Sequence, residues 1–387
     1  MREAVGERAV VREQERAGRV DIETPDGYDT RLVRDERNDG RAPLRVARRR
    51  DHTGGLVQEH VRELLLRDRL PVHLHDVPRL DEHVQLAELA LHRLGARYFH
   101  VTVPTPRQTA PVPIRSTGAS DVLGSMSAAV SALAASSFVV DCTIEGLMHA
   151  RELPQILKGG ARVLYVSNEH PDVLERLLPS SADEQQARAA MRLLKEGRRM
   201  TVASPAGTRL EIGLEGARVG VGWGFTEKPG TLSHWPGGLC LAFPAAGKVS
   251  GTLVLAPGDL NLTFKRYLES RVEMKIEHDY VVEVAGSGLD AALMREYMAA
   301  WGDREAYAVS HVGWGLNRRA RWDALALYDR GDVNGTEQRA FAGNFLYSTG
   351  ANEVAGRHTL GHFDLPVRGC TIAVDGKTVV QDGTLVG

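Results

Sequence analysis

Ala161-Arg162-Val163-Leu164-Tyr165-Val166 is a short, nearly continuous apolar run, and it reads as a buried strand. A second such run, Phe138-Val139-Val140, precedes it, with Arg151 to Leu157 between them at helical spacing. Before both, Ser125 to Ala135 is a small-residue helix candidate. Further upstream, Val84 to Leu94 carries apolar residues at helical spacing, Gly95 offers a stop, and Tyr98 to Val103 alternates as a strand does. Downstream, Asp183 to Arg198 reads as a closing helix. Strands alternating with helices predict an α/β domain with an open, mainly parallel sheet, placed at 81–200.

Past Met200 the texture changes to strands separated by Gly and Pro turns. Arg209 to Ile212, Gly251 to Leu255, Val272 to Ile276 and Tyr280 to Val284 are examples, with one helix from Leu289 to Trp301. Cys370 to Val380 reads as a hairpin turning at Asp375-Gly376. The expectation for 201–387 is a β-rich α+β domain, and that domain carries the chemistry.

Residues 1–80 differ from both. The first fifty hold thirteen Arg, no Lys and eleven Asp or Glu, without periodicity. Runs such as Arg48-Arg49-Arg50-Asp51 read as a solvated, disordered segment or as one foreign to the native frame, and the interspersed acids argue against a nucleic-acid arm. A formal charge of -2 gives no reason to expect nucleic acid or an anionic membrane as partner. The Arg- and Glu-rich start is unlike a signal peptide, and Ser127 to Val140 is too short to span a bilayer. Cys142, Cys240 and Cys370 form no CxxC pair, which fits reduced thiols in a cytoplasmic enzyme.

Gly361-His362-Phe363-Asp364-Leu365-Pro366 is the most suggestive chemical segment. In a strand, His362 and Asp364 share a face and can address one ion while Phe363 points away. A lone HxD has little specificity. A third ligand candidate, His311, lies in Tyr307 to Asn317, where a predicted strand meets Gly313 and Gly315. Two imidazoles and one carboxylate suit non-haem Fe(II), with zinc as the competitor. His358 could replace one of these ligands but falls out of phase with the strand. His234, His149, Arg339, Ser348 and Trp235 sit in similarly apolar, Gly-rich settings, each with a plain structural alternative.

Glu227 to Gly237, Ser310 to Leu316, Arg339 to Gly350 and His362 to Arg368 together resemble the 2,5-dihydroxypyridine 5,6-dioxygenases of bacterial nicotinate and pyridine breakdown. The likeness runs from about Val84 to the C-terminus. It implies a mononuclear Fe(II) site of His311, His362 and Asp364, a substrate face of His149, His234, Arg339 and Ser348, and a homo-oligomer. Its reaction would insert O2 between C5 and C6 of a small aromatic ring and release N-formylmaleamate. A base must deprotonate the ring hydroxyl: His234 is the first choice and His149 the second, with Trp235 as a stacking surface. The family is distantly similar to thermophilic metallo-aminopeptidases, so a hydrolase is the rival. Against it, Leu239 stands where those relatives place a carboxylate, which favours one iron over two metals.

Overall fold

Strands buried on both faces must be apolar at successive positions, and Phe138–Asp141 and Arg162–Val166 are buried at every residue. The computed structural model describes residues 21–23, 29–31, 71–75, 81–103, 122–124, 126–144 and 146–386. The two strands lie side by side in a five-stranded, all-parallel sheet ordered Leu232–Trp235, Arg162–Val166, Phe138–Asp141, Pro71–His75, Phe99–Thr102. Val139 and Val163 face one apolar cluster with Leu133, Leu147 and Ile156. Phe138, Val140, Leu164 and Val166 face another on the opposite side.

Two strands of this sheet come from outside the expected stretch. Pro71–His75 lies in the segment read as Arg-rich and structureless, before the ordered pattern expected from Val84. Leu232–Trp235 comes from within the β-rich half and pairs residue by residue with Val163 to Val166. The remaining described part of residues 1–55, a separate compact unit, is an antiparallel pair of Asp21–Glu23 with Asp29–Arg31. The Arg48 to Asp51 run falls outside the described residues.

The rest of the fold is antiparallel, so the protein is a mixed α/β structure. One sheet has eight strands and runs from Tyr280–Ala285 at one edge to Thr384–Leu385 at the other. The second has five, ordered Phe363–Val367, Phe345–Thr349, Val309–Gly315, Leu239–Phe243, Arg218–Gly222. Side-chain alternation sorts the second sheet. Val312, Trp314, Phe345, Tyr347, Phe363, Leu365 and Val367 enter one core with Met200, Val202, Leu210, Ile212 and Met274 of the larger sheet. Residues one step out of phase, His311, Ser348 and Asp364 among them, face away from that core. Helix Leu289–Ala300 adds Met294 and Met298 to it, and helix Ser181–Glu196, opened by a Ser180–Asp183 capping box, adds Ala187 and Leu194.

The expected hairpin is present as Thr371–Val374 and Lys377–Gln381, with Asp375 and Gly376 both at positive φ. All three cysteines are free and buried. Burial pushes the Cys240 and Cys370 thiols up to about 12, leaving them inert. Among the described residues no helix is long and apolar enough to cross a membrane.

Candidate metal centre

Three neighbouring strands carry the centre. In the antiparallel register His311 stands opposite Ser348, and Ser348 opposite Asp364, so the three form a row across the sheet. Strand spacing of about 4.8 Å then fixes how far apart their side chains begin. A register shift between Val309 and His311 lies at the start of this row. His362 precedes the last strand by one residue and joins the row from its end.

The side chains converge. His311 Nε2 is 3.7 Å from Asp364 Oδ1, and His362 Nε2 is 3.1 Å from Asp364 Oδ2. The two imidazole centroids are 6.0 Å apart. All three residues are buried. His362 Nδ1 is 2.6 Å from the Thr349 carbonyl, which can only accept, so Nδ1 carries a proton and Nε2 is the nitrogen turned toward Asp364. Ser310 Oγ donates to the Ala351 carbonyl and so receives a proton from His311 Nδ1 at 3.0 Å. His311, with its Nδ1 donating to Ser310, turns Nε2 toward Asp364 as well.

Two imidazole Nε2 atoms and a carboxylate turned toward one another are donor types that a divalent metal takes. Each histidine is also tied back through its other nitrogen, as metal-binding histidines are. By donor chemistry the residues fit a divalent metal. Among the described residues no three His, Cys, Asp or Glu groups stand at ligand spacing around one point. The Asp364 carboxylate is instead engaged by two neighbours. Arg339 Nε donates to Oδ2 at 2.6 Å, and Ser348 Oγ donates to Oδ1.

Electrostatics follow from this crowding. Burial alone would raise the Asp364 carboxyl, but Arg339, then His362 and His311, holds it well below the usual carboxylate range. Burial lowers His311 to about 3, opposed by Asp364 and assisted by His362, so its imidazole is neutral at pH 7.

His149 lies beside the row. The turn leading to it is built on Asp141, whose carboxylate accepts from Thr143 N at 3.0 Å, Thr143 Oγ1 at 2.7 Å and Leu147 N at 2.7 Å. Burial, then repulsion by His362 and Arg218, lowers His149 to about 4. Phe243, which sequence reading missed, bridges the two: its ring centroid is 6.5 Å from that of His149 and 5.2 Å from that of His311. The Arg218 guanidinium sits 4.5 Å from the Phe243 centroid. The signal was its place at the end of strand Leu239–Phe243, next to the strand that carries His311.

The other expected site residues have other partners. His234 Nδ1 donates to the Pro236 carbonyl at 2.7 Å, and its Nε2 lies so near Gly222 that a Cβ there would sit 2.5 Å away. Burial lowers its pKa, and among charged groups it feels Arg339. Trp235 points to the other side of the strand, into the apolar cluster with Phe138 and Leu164, and donates Nε1 to the Leu177 carbonyl at 3.2 Å. It is a core residue there rather than a ring-stacking surface. Arg339 grips Asp364, and His358 is exposed.

The family profile described as NicX, 2,5-dihydroxypyridine 5,6-dioxygenase, matches residues 72–387, which takes in the Pro71–His75 strand almost whole. A 2,5-dihydroxypyridine 5,6-dioxygenase of Pseudomonas putida KT2440 is 42% identical over 261 residues, 67% of this chain and 73% of that protein. The solved structure of a 2,5-dihydroxypyridine dioxygenase from the same strain superposes with a TM-score of 0.80 at 36% identity, covering 87% of this chain and 97% of that one. Wild-type AmpT from Thermus thermophilus shares the fold, with a TM-score of 0.59 at 15% identity over 87% of this chain and 99% of its own.

Proposed function

The chain belongs to the 2,5-dihydroxypyridine 5,6-dioxygenase family, and from that membership and the geometry of the row we propose that it opens 2,5-dihydroxypyridine between C5 and C6. A dioxygenase of this family calls for a metal cofactor, and Fe(II) is the ion assigned, held by His311, His362 and Asp364. The observation that carries this reading is the pair of Nε2 atoms aimed at Asp364 while both Nδ1 atoms donate elsewhere. When bound, Fe(II) supplies the electron-transfer chemistry that lets O2 react with a closed-shell ring.

The chain's own residues do the rest. His149, neutral at pH 7, accepts the proton of the ring hydroxyl and makes the ring a better electron donor. His149 is put ahead of His234, the first choice from sequence, because the Phe243 ring links it to His311. Phe243 gives the apolar wall once assigned to Trp235. Arg339 and Ser348 fix both oxygens of Asp364, which keeps the carboxylate ionised and oriented as a ligand. The product is N-formylmaleamate, the setting is cytoplasmic breakdown of nicotinate-type rings, and the enzyme works as a homo-oligomer.

Anaerobic loading with Fe(II), followed by air and 2,5-dihydroxypyridine, tests the assignment. Loss of ring absorbance is expected to match O2 consumed one to one. An iron-loaded protein that takes up no O2, yet hydrolyses peptides with zinc or cobalt, would overturn it in favour of a hydrolase.

A further inference from the structure

Glu169 lies just past the C-terminal end of strand Arg162–Val166 and is 1% exposed. Its Oε1 accepts from the backbone N–H groups of Gly335 at 2.9 Å, Thr336 at 2.6 Å and Glu337 at 3.4 Å. These belong to the unpaired donors that open helix Thr336–Ala340. The same turn is bonded to the sheet edge at further points. Ser167 Oγ lies 2.6 Å from Thr336 Oγ1, Asn168 donates to the Gly331 carbonyl at 2.9 Å, and Asn334 Nδ2 reaches Tyr165 Oη at 3.2 Å. Gly335 has φ +96°, and a Cβ there would meet Leu262 at 2.8 Å, so the turn has little freedom to settle elsewhere.

The same short helix carries Arg339. Its Nε donates to Asp364 at 2.6 Å, and its Nη1 returns to Asn334 Oδ1 at 3.0 Å, one residue before the Gly335 that Glu169 holds. A continuous path of hydrogen bonds thus runs from the edge of the parallel sheet to the carboxylate of the metal centre. We propose that Glu169 is a positioning residue for that carboxylate: by anchoring the start of the Arg339 helix it sets where Arg339 holds Asp364. The inference rests on the metal-site reading above. The bland competitor is a helix cap that matters for stability alone. Among the described residues Glu169 Oε2 has no hydrogen-bond partner, so the anchoring uses one oxygen, and a glutamine can supply it.

The test compares E169Q, E169D, E169A, R339A and the double variant E169A/R339A. Anaerobic titration with Fe(II) and with Co(II), thermal melting without metal, and rate per bound iron are measured on each. E169A is expected to weaken metal binding by about tenfold or more, as loss of an outer contact to a ligand does. E169Q is expected to stay within about threefold of wild type, because the acceptor is kept. In the R339A background E169A is expected to add less than about twofold, because both act through one path. Should E169A fail to fold, E169D, one methylene shorter, carries the same expected weakening. Metal affinity and rate per iron equal to wild type in E169A or E169D, whatever the melting temperature, overturn the inference alone, as does full additivity with R339A. A wild-type protein that takes up neither metal overturns the metal-site reading and this inference with it.

Discussion

The donor row and the C-terminal edge of the parallel sheet meet at one site but are held by different means. His311, Ser348 and Asp364 occupy paired positions on three hydrogen-bonded strands, so the backbone ladder spaces them. His149 and Glu169 stand beyond strand ends, and local groups place them: Asp141 for the turn before His149 and the Thr336 helix for Glu169. Metal affinity and proton handling should therefore respond to different substitutions.

The sharpest way to break the contrast is to remove a donor. His362→Ala should lose more than the roughly 10–100-fold in metal affinity typical of an outer contact, with activity falling alongside. Full Fe(II) occupancy in that variant would show that the row does not bind the ion. Next comes the edge. His149→Ala should cut kcat by about 10²–10⁴-fold with metal binding intact, the usual worth of a positioned base, whereas His234→Ala should cost less than about tenfold. The opposite order, measured on iron-matched samples, would return the base role to His234.

A smaller effect concerns pH. Burial, then repulsion by Glu337, raises Glu169 from 4.5 to about 7 in the folded chain. Between about pH 4.5 and 7 the unfolded chain gives up this proton while the folded chain keeps it, so stability falls as pH rises through that window and is level above it. Glu169→Gln removes this loss, and its advantage over wild type should grow toward about 3 kcal/mol by pH 8. Urea unfolding at pH 5 and pH 8 that shows the same difference at both would refute the shift. Smallest of all, Trp235→Phe should lower the melting temperature by about 2–4 °C through one lost hydrogen bond and leave KM alone. A raised KM for the ring would put Trp235 back among the substrate contacts.

A local rule made His362 and Asp364 legible as candidate donors. Residues two apart face one way near a strand, and His362 and Asp364 obey it. What the sequence concealed was pairing between distant segments. Nothing local tells Leu232–Trp235, four residues long and set among antiparallel strands, to join a parallel sheet beside Arg162–Val166. Without that placement His234 and Trp235 looked like neighbours in a pocket, although adjacent strand residues point to opposite sides. Pro71–His75 was hidden by the Arg-rich composition around it. Glu169 could have been found, since Ser167-Asn168-Glu169 directly follows a buried parallel strand, where such sheets gather their functional groups. Arg339 was expected on the substrate face, and its partner in the structure is Asp364, a long-range contact no spacing reveals.

Every residue of Val309–Gly315, Phe345–Thr349 and Phe363–Val367 is buried, on the donor side as well as the core side. A protein engineer seeking another ring substrate thus has no idle position on these strands to mutate: each exchange alters either the packing beneath or the donor geometry above. Room for variation lies at the periphery, around Phe243 and the half-exposed Arg218, and a library confined there keeps the donor set intact while the cavity changes shape.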